Sequence, residues 1–141
     1  MKNEFVTYEQ ALTLKELGFD EPCLAFYSPK EELYPVFQEP SKGPYFNNGS
    51  FIETLRAPLY QQTFKWFREK YNIQGYIYSS TVRSNAEKTK QFTGYIWKIK
   101  GIDIPFLSTD ARDELHDTYE KAESACLDKL IEITNEKIKN R

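Results

Sequence analysis

The sequence predicts an α+β fold in a single domain (1–141), with a small antiparallel sheet packed by three helices. Three observations carry this. Three segments repeat apolar residues at helical spacing behind recognisable caps, and two aromatic, β-branched runs face each other across a long polar loop. Aromatic residues make up 16% of 141 residues, enough to build one core, and a chain of this size buries roughly 70% of its unfolded surface. Helices separated by an adjacent-strand hairpin give α+β rather than alternating α/β order.

The first helix is predicted at about 8–17. Thr7-Tyr8-Glu9-Gln10 has the form of a capping box, in which a Thr hydroxyl and a Gln amide satisfy each other's orphan N–H groups. Ala11, Leu14 and Leu17 make its apolar stripe, Leu12 widens it, and Gly18 supplies a left-handed stop. A strand at 23–28, expected in the same sheet as the hairpin, follows Pro22 and stops at Pro29. Four of the seven prolines and an Asn48-Gly49 turn signal fall in 29–55, which reads as an irregular excursion with one short strand near Tyr34–Phe37. The second helix, about 58–72, opens on Pro58, where a missing N–H costs nothing. Tyr60, Phe64, Phe67 and Tyr71 line one of its faces, with Leu59 and Trp66 beside them, and Asn72 or Gly75 ends it. Runs at 76–82 and 92–99 form the hairpin, joined by the polar Arg83–Gln91. The third helix, about 118–137, takes Asp117 as its cap, with Tyr119, Ala122, Cys126, Leu130 and Ile133 as the buried stripe. Leu127, Ile131, Thr134 and Ile138 form a second stripe, open to packing within the domain or to a dimer.

Nothing in this sequence matches a common catalytic motif. It has no Gly-Lys-Ser/Thr phosphate loop, no Gly-x-Gly-x-x-Gly and no Gly-x-Ser-x-Gly. One histidine, His116, and two distant cysteines, Cys23 and Cys126, make neither a zinc ligand set nor a disulfide framework. Cys126 sits on an apolar stripe and reads as a small core residue. Asp103, Asp110, Asp113, Glu114 and Asp117 crowd the approach to the third helix but follow no ordered metal-loop spacing. A metal-dependent hydrolase would need Asp113, His116 and Asp117 to converge; a solvated acidic turn is the plainer reading. No catalysis and no cofactor are expected. The first residues carry no apolar run fit for a signal peptide, and no stretch approaches the ~20 apolar residues of a membrane span. A cytoplasmic protein with reduced thiols, off the membrane, is the expectation.

The formal charge of −2 hides a segregation. Residues 56–101 hold nine basic and two acidic side chains, residues 1–55 four and nine, and residues 102–141 six and ten. The basic stretch contains the hairpin. Tyr76 and Tyr78 share a face of one strand and Tyr95 and Trp97 a face of the next, with Arg83, Lys88, Lys90, Lys98 and Lys100 on or beside them. Rings that stack bases beside cations that hold phosphates are what single-stranded nucleic acid requires. An equally physical reading packs those aromatic faces against the second helix, or lets the acidic flanks neutralise the basic middle.

Three stretches, taken in order, carry a resemblance. They are Phe19-Asp20-Glu21-Pro22-Cys23, then Ala57-Pro58-Leu59-Tyr60-Gln61-Gln62-Thr63-Phe64-Lys65-Trp66-Phe67-Arg68-Glu69-Lys70-Tyr71, then Tyr119-Glu120-Lys121-Ala122-Glu123-Ser124-Ala125-Cys126-Leu127-Asp128-Lys129-Leu130-Ile131-Glu132-Ile133. Together they resemble small proteins of bacteriophages and prophages of flavobacterial-type hosts. The resemblance implies an accessory factor working in the host cytoplasm, and it transfers no catalytic residue. Proteins of that class commonly bind a host machine. The expectation is a non-enzymatic binding protein, in first place an anti-CRISPR-like inhibitor of a host defence nuclease or ribonucleoprotein. Its partner would then be a host protein, a CRISPR effector or its guide RNA. The alternative is a phage RNA- or single-strand-binding protein acting in replication or expression.

Overall fold

The computed structural model describes residues 2–35, 46–47, 50–51, 55–83, 91–102, 107–108 and 115–140. The fold is α+β, with three helices and antiparallel strands, and the chain falls into two compact units, Met1–Thr63 and Phe64–Arg141. No helix among the described residues is long and apolar enough to cross a membrane.

In the first unit, α1 runs Tyr8–Glu16 behind the predicted capping box. The Thr7 hydroxyl accepts from the Gln10 N–H at 3.2 Å, and Gln10 Oε1 accepts from the Thr7 N–H at 3.0 Å. Gln10 is buried, and its Oε1 also accepts from the Tyr60 hydroxyl at 3.1 Å, which satisfies a polar group inside the core. Ala11, Leu14 and Leu17 are buried, whereas Leu12 is exposed and does not widen the stripe. Strand β1 (Ala25–Tyr27), shorter than the predicted 23–28 and wholly buried, lies between β2 (Leu33–Pro35) and β5 (Leu55–Arg56), antiparallel to both. Its hydrogen-bonded neighbours are therefore these two strands, not the hairpin. Pro35 ends an edge strand, where its missing N–H removes no ladder bond. The Tyr27 hydroxyl donates to the Val6 carbonyl at 2.6 Å, and Tyr8 meets the Tyr27 ring edge-on at 5.5 Å. Within the predicted excursion, β3 (Phe46–Asn47) pairs with β4 (Ser50–Phe51); the Asn48-Gly49 turn between them lies outside the described residues.

The second helix, α2, runs Tyr60–Tyr71 and starts two residues beyond Pro58. Those two residues are committed elsewhere: the Pro58 carbonyl accepts from the Val6 N–H at 3.0 Å, and Leu59 bridges to Phe5. From Phe64 onward α2 belongs to the second unit. There Trp66 and Phe67 are buried, with ring centroids 5.1 Å apart, and Asn72 leaves the helix at φ 55°. β6 (Ile73–Arg83) pairs with β7 (Gln91–Gly101) over eleven antiparallel positions, and β8 (Leu107–Ser108) adds to the far side of β7. Both long strands extend beyond the predicted 76–82 and 92–99.

Helix α3 (Tyr119–Lys139) packs on both long strands. Its cap is Thr118, whose hydroxyl accepts from the Lys121 N–H at 3.2 Å; Asp117, the predicted cap, instead pairs with Lys121 Nζ at 2.8 Å. Ala122, Cys126, Leu130 and Ile133 are buried as the spacing predicts, while Tyr119 is exposed. Leu127, Ile131 and Thr134 of the second stripe are buried too, so those positions pack within the chain and offer no dimer face.

Two glycines set how closely these parts approach. A Cβ at Gly75 would lie 2.8 Å from Cys126 Sγ and 3.2 Å from Leu130 Cδ1. A Cβ at Gly94 would lie 2.5 Å from the His116 carbonyl oxygen, which is held by the Tyr95 N–H at 2.8 Å. Gly75→Ala should therefore lower the thermal midpoint by several degrees, the effect of about 1–3 kcal/mol of overpacking. Adding Cys126→Ala should restore part of that loss. Gly94→Ala should cost more and gain nothing from Cys126→Ala, because its obstacle is backbone.

Candidate nucleic-acid interface

Side chains alternate along a strand, and directly paired residues point to the same face. The register therefore sorts the hairpin. Ile73, Gly75, Ile77 and Ser79 share a face with Gly101, Ile99, Trp97 and Tyr95, and this is the face α3 covers. Gln74, Tyr76, Tyr78 and Ser80 share the other with Lys100, Lys98, Ile96 and Gly94.

This separates the predicted aromatic platform into two pairs. Trp97 is 8% exposed and belongs to the core, and Tyr95 is half-buried, edge-on to Tyr119 of α3 at 5.7 Å. The packing partner of the hairpin is α3, where the sequence suggested the second helix. Tyr76 and Tyr78 remain outward at 37% and 46% exposure, their ring centroids 6.2 Å apart and tilted by 40°.

Around those two rings the strand pairing places cations. Lys98 is opposite Tyr76, and its Nζ lies 5.0 Å from the centroid of the Tyr78 ring, a cation–π contact. Lys100 is opposite Gln74 and exposed. The Tyr76 hydroxyl donates to Gln74 Oε1, which ties that ring to its own strand. Gln74 was missed from the sequence, although its position two residues before Tyr76 puts it on the same face. Of the other predicted cations, Arg83 closes β6 opposite Gln91, with its side chain outside the described residues; Lys88 and Lys90 lie outside them altogether.

The remaining candidate chemistry does not assemble among the described residues. Among the described residues no group of three His, Cys, Asp or Glu side chains stands close enough to hold a metal ion. Backbone hydrogen bonds in both directions tie His116 to Tyr95, and its Nε2 is enclosed with no hydrogen-bond partner among the described residues. The Lys121 ammonium holds the exposed Asp117 carboxyl below the usual carboxylate range. Asp103, Asp110, Asp113 and Glu114 lie outside the described residues. Burial pushes the Cys126 thiol up to about 12, and burial raises Cys23 to about 11 against a partial counter-pull from Arg56. Both are thiols at neutral pH, and nucleophilic attack needs the thiolate.

The chain matches no protein-family model, no curated protein and no solved structure.

Two outcomes are expected. Trp97→Ala should cost about 3–5 kcal/mol of stability as a core truncation, whereas Tyr78→Ala should leave the thermal midpoint nearly unchanged. The native thiols should react far more slowly with a disulfide reagent at pH 8 than the same chain in denaturant. The sign follows from their raised values: the folded protein keeps both protonated there, while unfolded thiols near 8.5 ionise in part.

Proposed function

We propose that this is a non-enzymatic, phage-type accessory binding protein whose exposed hairpin face receives single-stranded nucleic acid. The observation that carries this reading is the pair Tyr76 and Tyr78, outward on one sheet face, with Lys98 over one ring and Lys100 two residues further along. Rings on a sheet stack bases whatever their sequence, and adjacent ammonium groups take the phosphates. The basic balance of residues 56–101, nine against two, favours an anionic partner on this part of the chain. Such a face needs no pocket and no reacting group.

A narrower role is inhibition of a host defence ribonucleoprotein, with its guide RNA as the strand met by this face. The phage-type resemblance of the stretches at 57–71 and 119–133 favours that role. In that case the complex should also bury protein surface and survive removal of accessible RNA.

Fluorescence anisotropy with a labelled oligouridylate at low salt tests the reading. Tyr76→Ala and Tyr78→Ala should each weaken binding by about 1–3 kcal/mol, the usual value of one base stacked on one ring. Lys98→Ala and Lys100→Ala should each flatten the logarithmic salt dependence by about 0.7, as for one single-strand phosphate contact. If the wild-type chain holds no oligonucleotide at low ionic strength, the reading is wrong.

A further inference from the structure

A cleft lies at one end of the β6–β7 ladder. Lys100 and Gln74 face each other near the end of the β6–β7 ladder; two residues beyond them stand Ile102 and Asn72. Both residues line a cavity of about 210 Å³, together with Lys70 and Tyr71 of α2 and Thr134, Lys137 and Ile138 of α3. Its walls are of two kinds. Ile102 at 77% exposure and Ile138 at 48% are apolar surface left open to water, and the half-buried Tyr71 ring stands with them. Lys70 and Lys137 bring two ammonium groups, and Lys70 Nζ is held 4.8 Å from the Trp66 ring centroid and 5.5 Å from that of Tyr71. Among the described residues no carboxylate lines the cleft.

That composition selects a ligand class. Open apolar walls with an aromatic ring favour a flat, weakly polar group, and the two ammonium groups among the described walls favour an anion attached to it. The volume is below the ~300–1,000 Å³ of a drug-sized site and suits a single ring system. A base with its phosphate has this chemistry.

We propose that the cleft holds one further nucleotide of the strand whose neighbouring bases stack on Tyr76 and Tyr78. The base lies against Tyr71, Ile102 and Ile138, and its phosphate lies between Lys70 and Lys137. This rests on the single-strand reading above and extends it: the hairpin face supplies two stacking positions, Lys98 and Lys100 carry the backbone along the strand, and the cleft ends the track.

The test uses the full chain with fluorescein-labelled oligouridylates of two and of six nucleotides. The wild type should hold the six-mer about ten-fold more tightly than the two-mer, as one added stacked base implies. The paired substitution Lys137→Gln with Ile102→Ser should remove that advantage and leave two-mer binding unchanged. Both side chains are at least partly exposed, so folding should be retained; Lys70→Gln is an independent second variant and should remove part of the same advantage. A six-mer affinity unmoved by these variants, or a loss shared equally by both probes, overturns the inference. If Tyr76→Ala still weakens both probes in that case, the single-strand reading stands without the cleft. If neither probe binds the wild type, both fall together.

Discussion

Helix α3 lies across the β6–β7 hairpin with Cys126 and Leu130 seated over Gly75, and the character of the hairpin depends on that contact. A strand offers alternate side chains to opposite faces, so covering one face decides which residues of both strands meet the helix. Ile73, Ile77, Trp97 and Ile99 go under the helix, and Tyr76, Tyr78, Lys98 and Lys100 go to the other side. A one-residue slip of β6 would place Tyr76 and Tyr78 under α3, and a slip of β7 would place Trp97 outside. The missing side chain at Gly75 lets α3 approach this closely, because a Cβ there would meet Cys126 Sγ at 2.8 Å. Packing on the covered face is thus what specifies the composition of the exposed one.

Local signals in the sequence account for the helices. Thr7 and Gln10 close their box within one helical turn, and the α3 stripe of Ala122, Cys126, Leu130 and Ile133 follows from 3.6-residue periodicity alone. The α3 cap is Thr118, one residue after the expected Asp117. Asp117 and Thr118 both have side chains able to cap, but Lys121 takes the Asp117 carboxylate and leaves the helix amide to Thr118. Strand ends were placed too far in, since Ile73 to Gly75 and Lys100 to Gly101 acquire strand character from each other across the ladder rather than from their own propensities.

The face of the hairpin was harder. Both alternations of β6 and β7 contain large apolar or aromatic side chains, so hydrophobicity does not say which set is inside. Each face also holds a glycine, Gly75 on the one and Gly94 on the other, and what separates them is the partner each meets: Cys126 and Leu130 of α3 at Gly75, Leu115 and His116 at Gly94. The match of Gly75 to Cys126 joins segments fifty-one positions apart. Periodicity within either segment cannot express it.

Lys98 then has two partners to choose between in the proposed complex. In the free protein its ammonium rests over the Tyr78 ring, on the surface a base would occupy. A cation–π contact at an exposed site is worth about 0.5–1 kcal/mol, while a base stacked on an aromatic ring is worth about 1–3 kcal/mol. On those magnitudes stacking is the stronger of the two contacts at this ring, and the cation–π contact places a positive charge beside the surface on which a base would stack. A carboxylate in place of the ring would hold the same lysine more firmly, but it would leave no surface for stacking and would repel the phosphate. A ring with a lysine laid over it is the arrangement that keeps both the charge and the stacking surface for the incoming strand.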